Sequence, residues 1–133
     1  MQDFKIKAMK AVSTTVDQLP TPCYVGIKYD GIRAIVVDGV VLSLTLKPIR
    51  NKEIQAKFGR HEYNGLDGEL VVGDIYAPDV FQKTTSVVMS YDKPIDEVHF
   101  YVFDDFTNPT EGYASRAELA IKKLVSVPNF QIR

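Results

Sequence analysis

The stretch Tyr24-Val25-Gly26-Ile27-Lys28-Tyr29-Asp30-Gly31-Ile32-Arg33-Ala34-Ile35-Val36-Val37-Asp38 is rich in β-branched and aromatic residues and is split by an Asp-Gly pair. Asp-Gly flanked by apolar runs is a strong short-range signal for a β-hairpin, so two antiparallel strands are expected around Asp30-Gly31. Asp38-Gly39 offers a second turn, and VVLSLTL (residues 40–46) reads as a third strand of a meander. Lys28 then ends one strand and Arg33 begins the return, which sets an amine and a guanidinium close together across a tight turn. That pairing suits phosphate chemistry. An amine can attack phosphorus once it has lost its proton, which takes a neighbouring cation or removal from water, and arginine offers a fixed fork of donors to nucleotide oxygens.

Further along, the period of the pattern changes. In NKEIQAKFG (residues 51–59), Asn51 stands as a cap, Ile54 and Phe58 lie four apart and Gly59 closes the run, so a short helix is expected. Leu66 to Val72 and Val98 to Phe106 read as two more strands, the second nearly continuously apolar and therefore central. A helix over VFQKTTSVVM (residues 80–89) is expected despite its paired threonines and valines. Another follows Asn108-Pro109, with Ser115 as cap, Glu118 completing a capping box, Leu119, Ile121 and Leu124 on the apolar side, and Pro128 as its end. Asn129 to Arg133 looks like the opening of a strand. The fold class is α+β: a mostly antiparallel sheet with short helices.

Composition narrows the function classes. The chain has 133 residues, 45% hydrophobic and 25% charged, which fits one ordinary folded domain. Sixteen basic residues against seventeen acidic ones leave a net charge of −1, so any attraction to a polyanion must be local. Lys47, Arg50, Lys52, Lys57 and Arg60 form the candidate strip. One cysteine, Cys23, precludes an internal disulfide. Neither a signal peptide nor a membrane span is read, and a cytoplasmic protein, in the host cell if phage-encoded, is expected.

Two further strings bear on chemistry. In Leu66-Asp67-Gly68-Glu69-Leu70, a carboxylate among apolar neighbours is costly unless it binds a cation or a hydroxyl, so Glu69 is a candidate ligand for a sugar or a metal ion. In Phe100-Tyr101-Val102-Phe103-Asp104, strand alternation sets Tyr101 and Phe103 on one face, where either can stack on a base or both can be core aromatics.

Taken in order, KYDGIR (28–33), LDGEL (66–70) and FYVFD (100–104) resemble motifs I, III and IIIa of the covalent nucleotidyltransferases, the superfamily of DNA ligases, RNA ligases and mRNA capping enzymes. LKPIRNKEIQ, GLDGELVVGD, DVFQKTTSVVMS and FYVFDDF are similar to the wording of bacteriophage-type ATP-dependent DNA ligases, and this likeness spans essentially the whole chain. The resemblance implies a partial nucleotidyltransferase (ATP-grasp-like) domain, with residues 1–133 as the N-terminal portion of a ligase adenylation domain. It implies ATP and Mg2+ as cofactors and nicked double-stranded DNA as partner. Lys28 would carry the lysyl-AMP bond, Arg33 and Glu69 would contact the ribose and its surroundings, and Phe103 or Tyr101 would stack on adenine, whose edge would be read by backbone from Tyr24 to Ile27. Glu69 would also serve as the metal ligand.

The likeness has gaps. Ser43-Leu44 stands where the family has Ser-Arg, so either Lys47 or Arg50 makes the phosphate or DNA contact, or the chain handles the nucleotide or nick poorly. Gly26 takes the place of an acidic residue two before the lysine. Motifs IV and V and the oligonucleotide-binding domain are absent; Glu111-Gly112 is read as a loop, and His61 and His99 as structural or surface residues. The expectation is thus a truncated ligase, incomplete on its own and completed by a downstream fragment or a protein partner. The rival expectations are a catalytically inactive ligase-derived module that binds a nucleotide, nucleic acid or protein, and a GTP-using capping enzyme.

Overall fold

The computed structural model describes residues 8–124 and the backbone of 130–132. Of the two Asp-Gly pairs read as hairpin turns, the second makes the hairpin. Asp38 and Gly39 have φ of 50° and 76°, the left-handed pair that a two-residue loop matched to strand twist requires, and they join β1 (Ile32–Val37) to β2 (Val40–Leu42) with Val37 opposite Val40. The expected hairpin at Asp30-Gly31 does not form. Residues 24–30 are not in a strand, and neither Asp30 nor Gly31 has a positive φ. The edge of β1 just past this turn is already paired with β3 (Leu66–Val72), from Ile32 opposite Leu70 to Ile35 opposite Asp67. Gly31 serves that approach instead: a Cβ there would lie 2.1 Å from the carbonyl oxygen of Leu70. The third strand is also shorter than expected. After Leu42 the chain turns over Ser43–Leu46, where Leu46 has a φ of 64° and the Ser43 amide donates to the Lys47 carbonyl at 2.8 Å.

β3 pairs on its other side with β4 (Val98–Asp105), and β4 pairs in parallel with β5 (Phe130–Ile132), giving the order β2-β1-β3-β4-β5. The strand expected from Phe130 onwards is there; Pro128, Asn129 and Arg133 lie outside the described residues. Period-two alternation sends Ala34, Val36, Leu66, Leu70, Val72, Val98, Phe100 and Val102 to one face, and the main core forms there. Three helices complete that core: α1 (Lys52–Phe58) with Ile54 and Phe58, α2 (Val80–Val88) with Val88, and α3 (Tyr113–Leu124) with Ala120 and Leu124. Each fully buried Phe, Leu or Ile contributes about 2–3 kcal/mol relative to exposure.

The caps of α1 are those read from the sequence. Asn51 accepts from the amides of Glu53 and Ile54, and the Gly59 amide donates to the Gln55 carbonyl. α3 is corrected at its start: it begins at Tyr113, so Ser115 lies inside it and is no cap, and Ile121 is exposed. Interactions across the fold fix this start. The Tyr113 hydroxyl donates to the Phe103 carbonyl at 2.9 Å, and Arg116 Nε donates to Asp104 Oδ1 at 2.8 Å, so the first turn is anchored on β4.

Candidate functional site

The sheet's other face carries the polar residues. Arg33, Glu69 and Tyr101 are neighbours across three strands, since Arg33 faces Glu69 and Glu69 faces Tyr101 in the strand registers. A register shift between Asp67 and Gly68 sets Asp67 opposite Asp104 but Gly68 opposite Val102, so Phe103 is the extra residue of a bulge. Arg33 is held from three sides. Its Nε and one terminal nitrogen donate to the two carboxylate oxygens of Asp67 at 2.7 and 2.6 Å, and the other terminal nitrogen donates to the Met9 carbonyl at 2.7 Å. Its guanidinium carbon stands 5.2 Å from the centre of the Phe103 ring. A bidentate fork of this kind is the strongest common ion pair, and both partners are largely removed from water.

Electrostatics follow from burial. Removal from water pushes the Asp67 carboxyl up, and the Arg33 fork opposes that rise without cancelling it. Glu69 is likewise raised, first by burial; the Gly31 amide, which donates to Glu69 Oε2 at 3.2 Å, and the charges of Arg33 and Lys28 pull the other way. The hydrogen bonds that Arg33 donates to Asp67 raise it further above its already high value.

Five of the expected site residues, Ile27, Lys28, Arg33, Glu69 and Phe103, line three separate pockets. Ile27 and Lys28 line one of about 480 Å³ with Tyr29, Tyr76, Phe81 and Gln82. Lys28 is 94% exposed, and its ammonium lies 3.9 Å from Asp30 Oδ1. Arg33 and Glu69 line a second, of about 490 Å³, with Gly31, Leu44 and Met89. Phe103 shares a third, of about 410 Å³, with Tyr24, Val25, Gly26, Tyr113 and Arg116. Tyr101 is buried, with Tyr29 stacked on its ring at 4.4 Å and 23°. Leu44 therefore stands beside Arg33 and Glu69, whereas Lys47 and Arg50 are exposed and do not line that pocket. Glu111 lies in the loop before α3, His61 is exposed and His99 is half-buried in β4. Among the described residues, no three His, Cys, Asp or Glu side chains group as a metal site, and no helix is long and apolar enough to cross a membrane.

Sequence reasoning missed Asp67, Asp104, Arg116 and Tyr29. Asp67 was hidden by its own Asp-Gly pair, which reads as a turn yet lies inside β3. The signal that could have found it is the cost of a carboxylate between two apolar runs, which demands a cation; Arg33 supplies it from 34 residues away.

No protein-family model and no curated protein matches the chain. Solved structures do. Two structures of Chlorella virus DNA ligase-adenylate match 92% of this chain and 46% of theirs, one at 27% identity and a TM-score of 0.72, the other at 30% and 0.73. A Lig E DNA ligase, whose description is DNA binding with a minimal scaffold, matches at 29% identity and a TM-score of 0.58 over 79% of this chain and 41% of its own. The chain spans a little under half the length of these ligases. It is therefore similar to the DNA ligases in both sequence and fold, and its architecture is that of part of their adenylation domain.

Proposed function

We propose that this chain is the nucleotide-receiving part of an ATP-dependent DNA ligase, with Lys28 as the residue that becomes adenylated. The observation that carries the reading is the match to ligase-adenylate structures over 92% of the chain, and beside it Ile32 and Arg33, which end KYDGIR, pair with Leu70 and Glu69 of LDGEL. Lys28 Nζ, once it has shed its proton, attacks the α-phosphorus of ATP: a nitrogen–phosphorus bond forms, the bond to the bridging oxygen breaks, and pyrophosphate leaves. AMP then passes to the 5′-phosphate at a nick, and the 3′-hydroxyl displaces it. Glu69, poised by the Gly31 amide, takes a ribose hydroxyl. Arg33 lines the same pocket as Glu69 and contacts the same ligand, and Phe103 or Tyr101 offers a ring to adenine, Phe103 being the one that borders an open pocket with Tyr24 to Gly26. Magnesium fits here in one way: of the two carboxylates beside Arg33, Asp67 is committed to the guanidinium, so Glu69 is the one on offer, and the ion would be held chiefly by phosphate oxygens. When bound it would neutralise phosphate charge.

Mass spectrometry after incubation with ATP and magnesium tests the reading. An AMP adduct on the peptide containing Lys28 is expected, and its loss in Lys28→Ala. An adduct that survives the substitution on the same peptide overturns the assignment, and a larger yield with GTP than with ATP favours the capping-enzyme reading. The binding-module reading draws on Leu44, an apolar side chain at the pocket that holds Arg33 and Glu69. Absence of any adduct, with nucleotide or DNA binding retained, decides for it.

A further inference from the structure

A second polar structure lies outside the three pockets, where the loop after α2 meets the start of α1. Asn51 is fully buried and uses all four of its amide's bonding directions. Its Oδ1 accepts from the amides of Glu53 and Ile54 at 2.9 and 3.2 Å, and its Nδ2 donates to the carbonyls of Val87 and Lys93, both at 3.0 Å. The Lys52 amide adds a bond to the Tyr91 carbonyl at 2.9 Å. Residues 87–93 are thereby tied to the first turn of α1 at three points. A loop so fixed presents its side chains in a defined array, and here they are of one kind.

Tyr91 is 57% exposed, with the Lys52 ammonium 5.5 Å from its ring centre. Arg50, Lys52 and Lys93 are exposed on the two segments so tied, and Lys93 Nζ is steadied by Ser86 Oγ at 2.6 Å. The nearby acidic side chains are Glu53 and Asp92, so cations outnumber carboxylates even though the whole chain is slightly acidic. Met89, two residues before Tyr91, lines the pocket of Arg33 and Glu69, so the array runs up to its rim.

We infer that Arg50, Lys52, Tyr91 and Lys93 form a docking platform for a DNA strand, with the cations on successive phosphates and the Tyr91 ring against the sugar between them. Basic groups with an interleaved aromatic ring match the charge of a nucleic-acid backbone, which is read by position and not by sequence. The platform supplies the phosphate attraction that Leu44 cannot give. The inference rests on the ligase reading for its choice of DNA, and it assigns the grip to a loop fixed by Asn51.

The test is a titration of labelled nicked duplex DNA at several salt concentrations, run beside the ATP-adduct assay without DNA. Lys52→Ala with Lys93→Ala is expected to flatten the dependence of log K on log salt by about 0.9 for each phosphate left without its lysine. Tyr91→Ala is expected to weaken binding about tenfold with little change in that slope. Lys122→Ala, a charge removal far off on α3, serves as control and is expected to leave both unchanged. All these variants should retain the adduct yield of the parent. An unchanged slope in the double variant, or an effect no larger than that of Lys122→Ala, overturns the platform even if the adduct forms. A flattened slope in a chain that forms no adduct upholds the platform and overturns the ligase reading instead.

Discussion

Glu69 shows what a polar site costs its host. Its folded-state pKa is raised, so the folded chain binds a proton there more readily than the unfolded chain does. The sign is then fixed: stability from this group is fully present below about pH 4.5, its ordinary value, and is lost as pH rises through the elevated one. Glu69→Gln is therefore expected to raise the urea midpoint at pH 7 and to leave it unchanged at pH 4, while weakening nucleotide binding. Equal shifts at both pH values would show that the charge is not the cause. Leu44 poses the opposite case. Leu44→Arg is expected to tighten binding of triphosphate or nicked DNA several-fold at fixed low salt, by adding a charge-assisted bond at the pocket shared with Arg33. No gain in that titration would mean that the basic residues nearby already suffice.

At the scale of elements, the legible parts were those whose signals are local. The caps of α1, the strand at Leu66 to Val72 and the apolar run of β4 each rest on signals within a few residues, and each formed as read. Asp30-Gly31 misled because a glycine demanded by close approach looks, in sequence, like a glycine demanded by a turn. The start of α3 misled for a related reason: Ser115 and Glu118 form a valid capping box, yet Tyr113 and Arg116 reach β4 and extend the helix past it. The chemistry divides in the same way. KYDGIR and LDGEL stood out as strings, whereas the Arg33–Asp67 fork and the Tyr29–Tyr101 stack join residues that no window contains. A direct check on the glycine is to compare Gly31→Ala with Gly112→Ala. The first is expected to cost about 2 kcal/mol or more, since its Cβ would strike the backbone of β3 at 2.1 Å, and the second less than about 0.5 kcal/mol, since nothing lies within 4 Å. Equal costs in a denaturant titration would refute the proximity argument.

For the whole molecule, the question is how much chemistry 133 residues sustain. They match less than half of the solved ligases, and in the family resemblance the lysines that hold the α-phosphate belong to motif V. The chain alone is expected to seal nicked duplex at least about a hundredfold more slowly than with a supplied fragment bearing motifs IV and V, as removal of preorganised transition-state charge costs about that much or more. A gel assay of sealing decides it, and efficient sealing by the chain unaided would overturn the expectation. Where such a fragment could attach is constrained by the sheet itself. Along β2 the outward backbone groups of Val41 are taken: its amide donates to Gln55 Oε1, and its carbonyl accepts from Gln55 Nε2 and from the Ile49 amide. One glutamine thus stands across the outer edge of β2 and occupies the groups with which a further strand would pair at Val41, so that side of the sheet is closed to extension there.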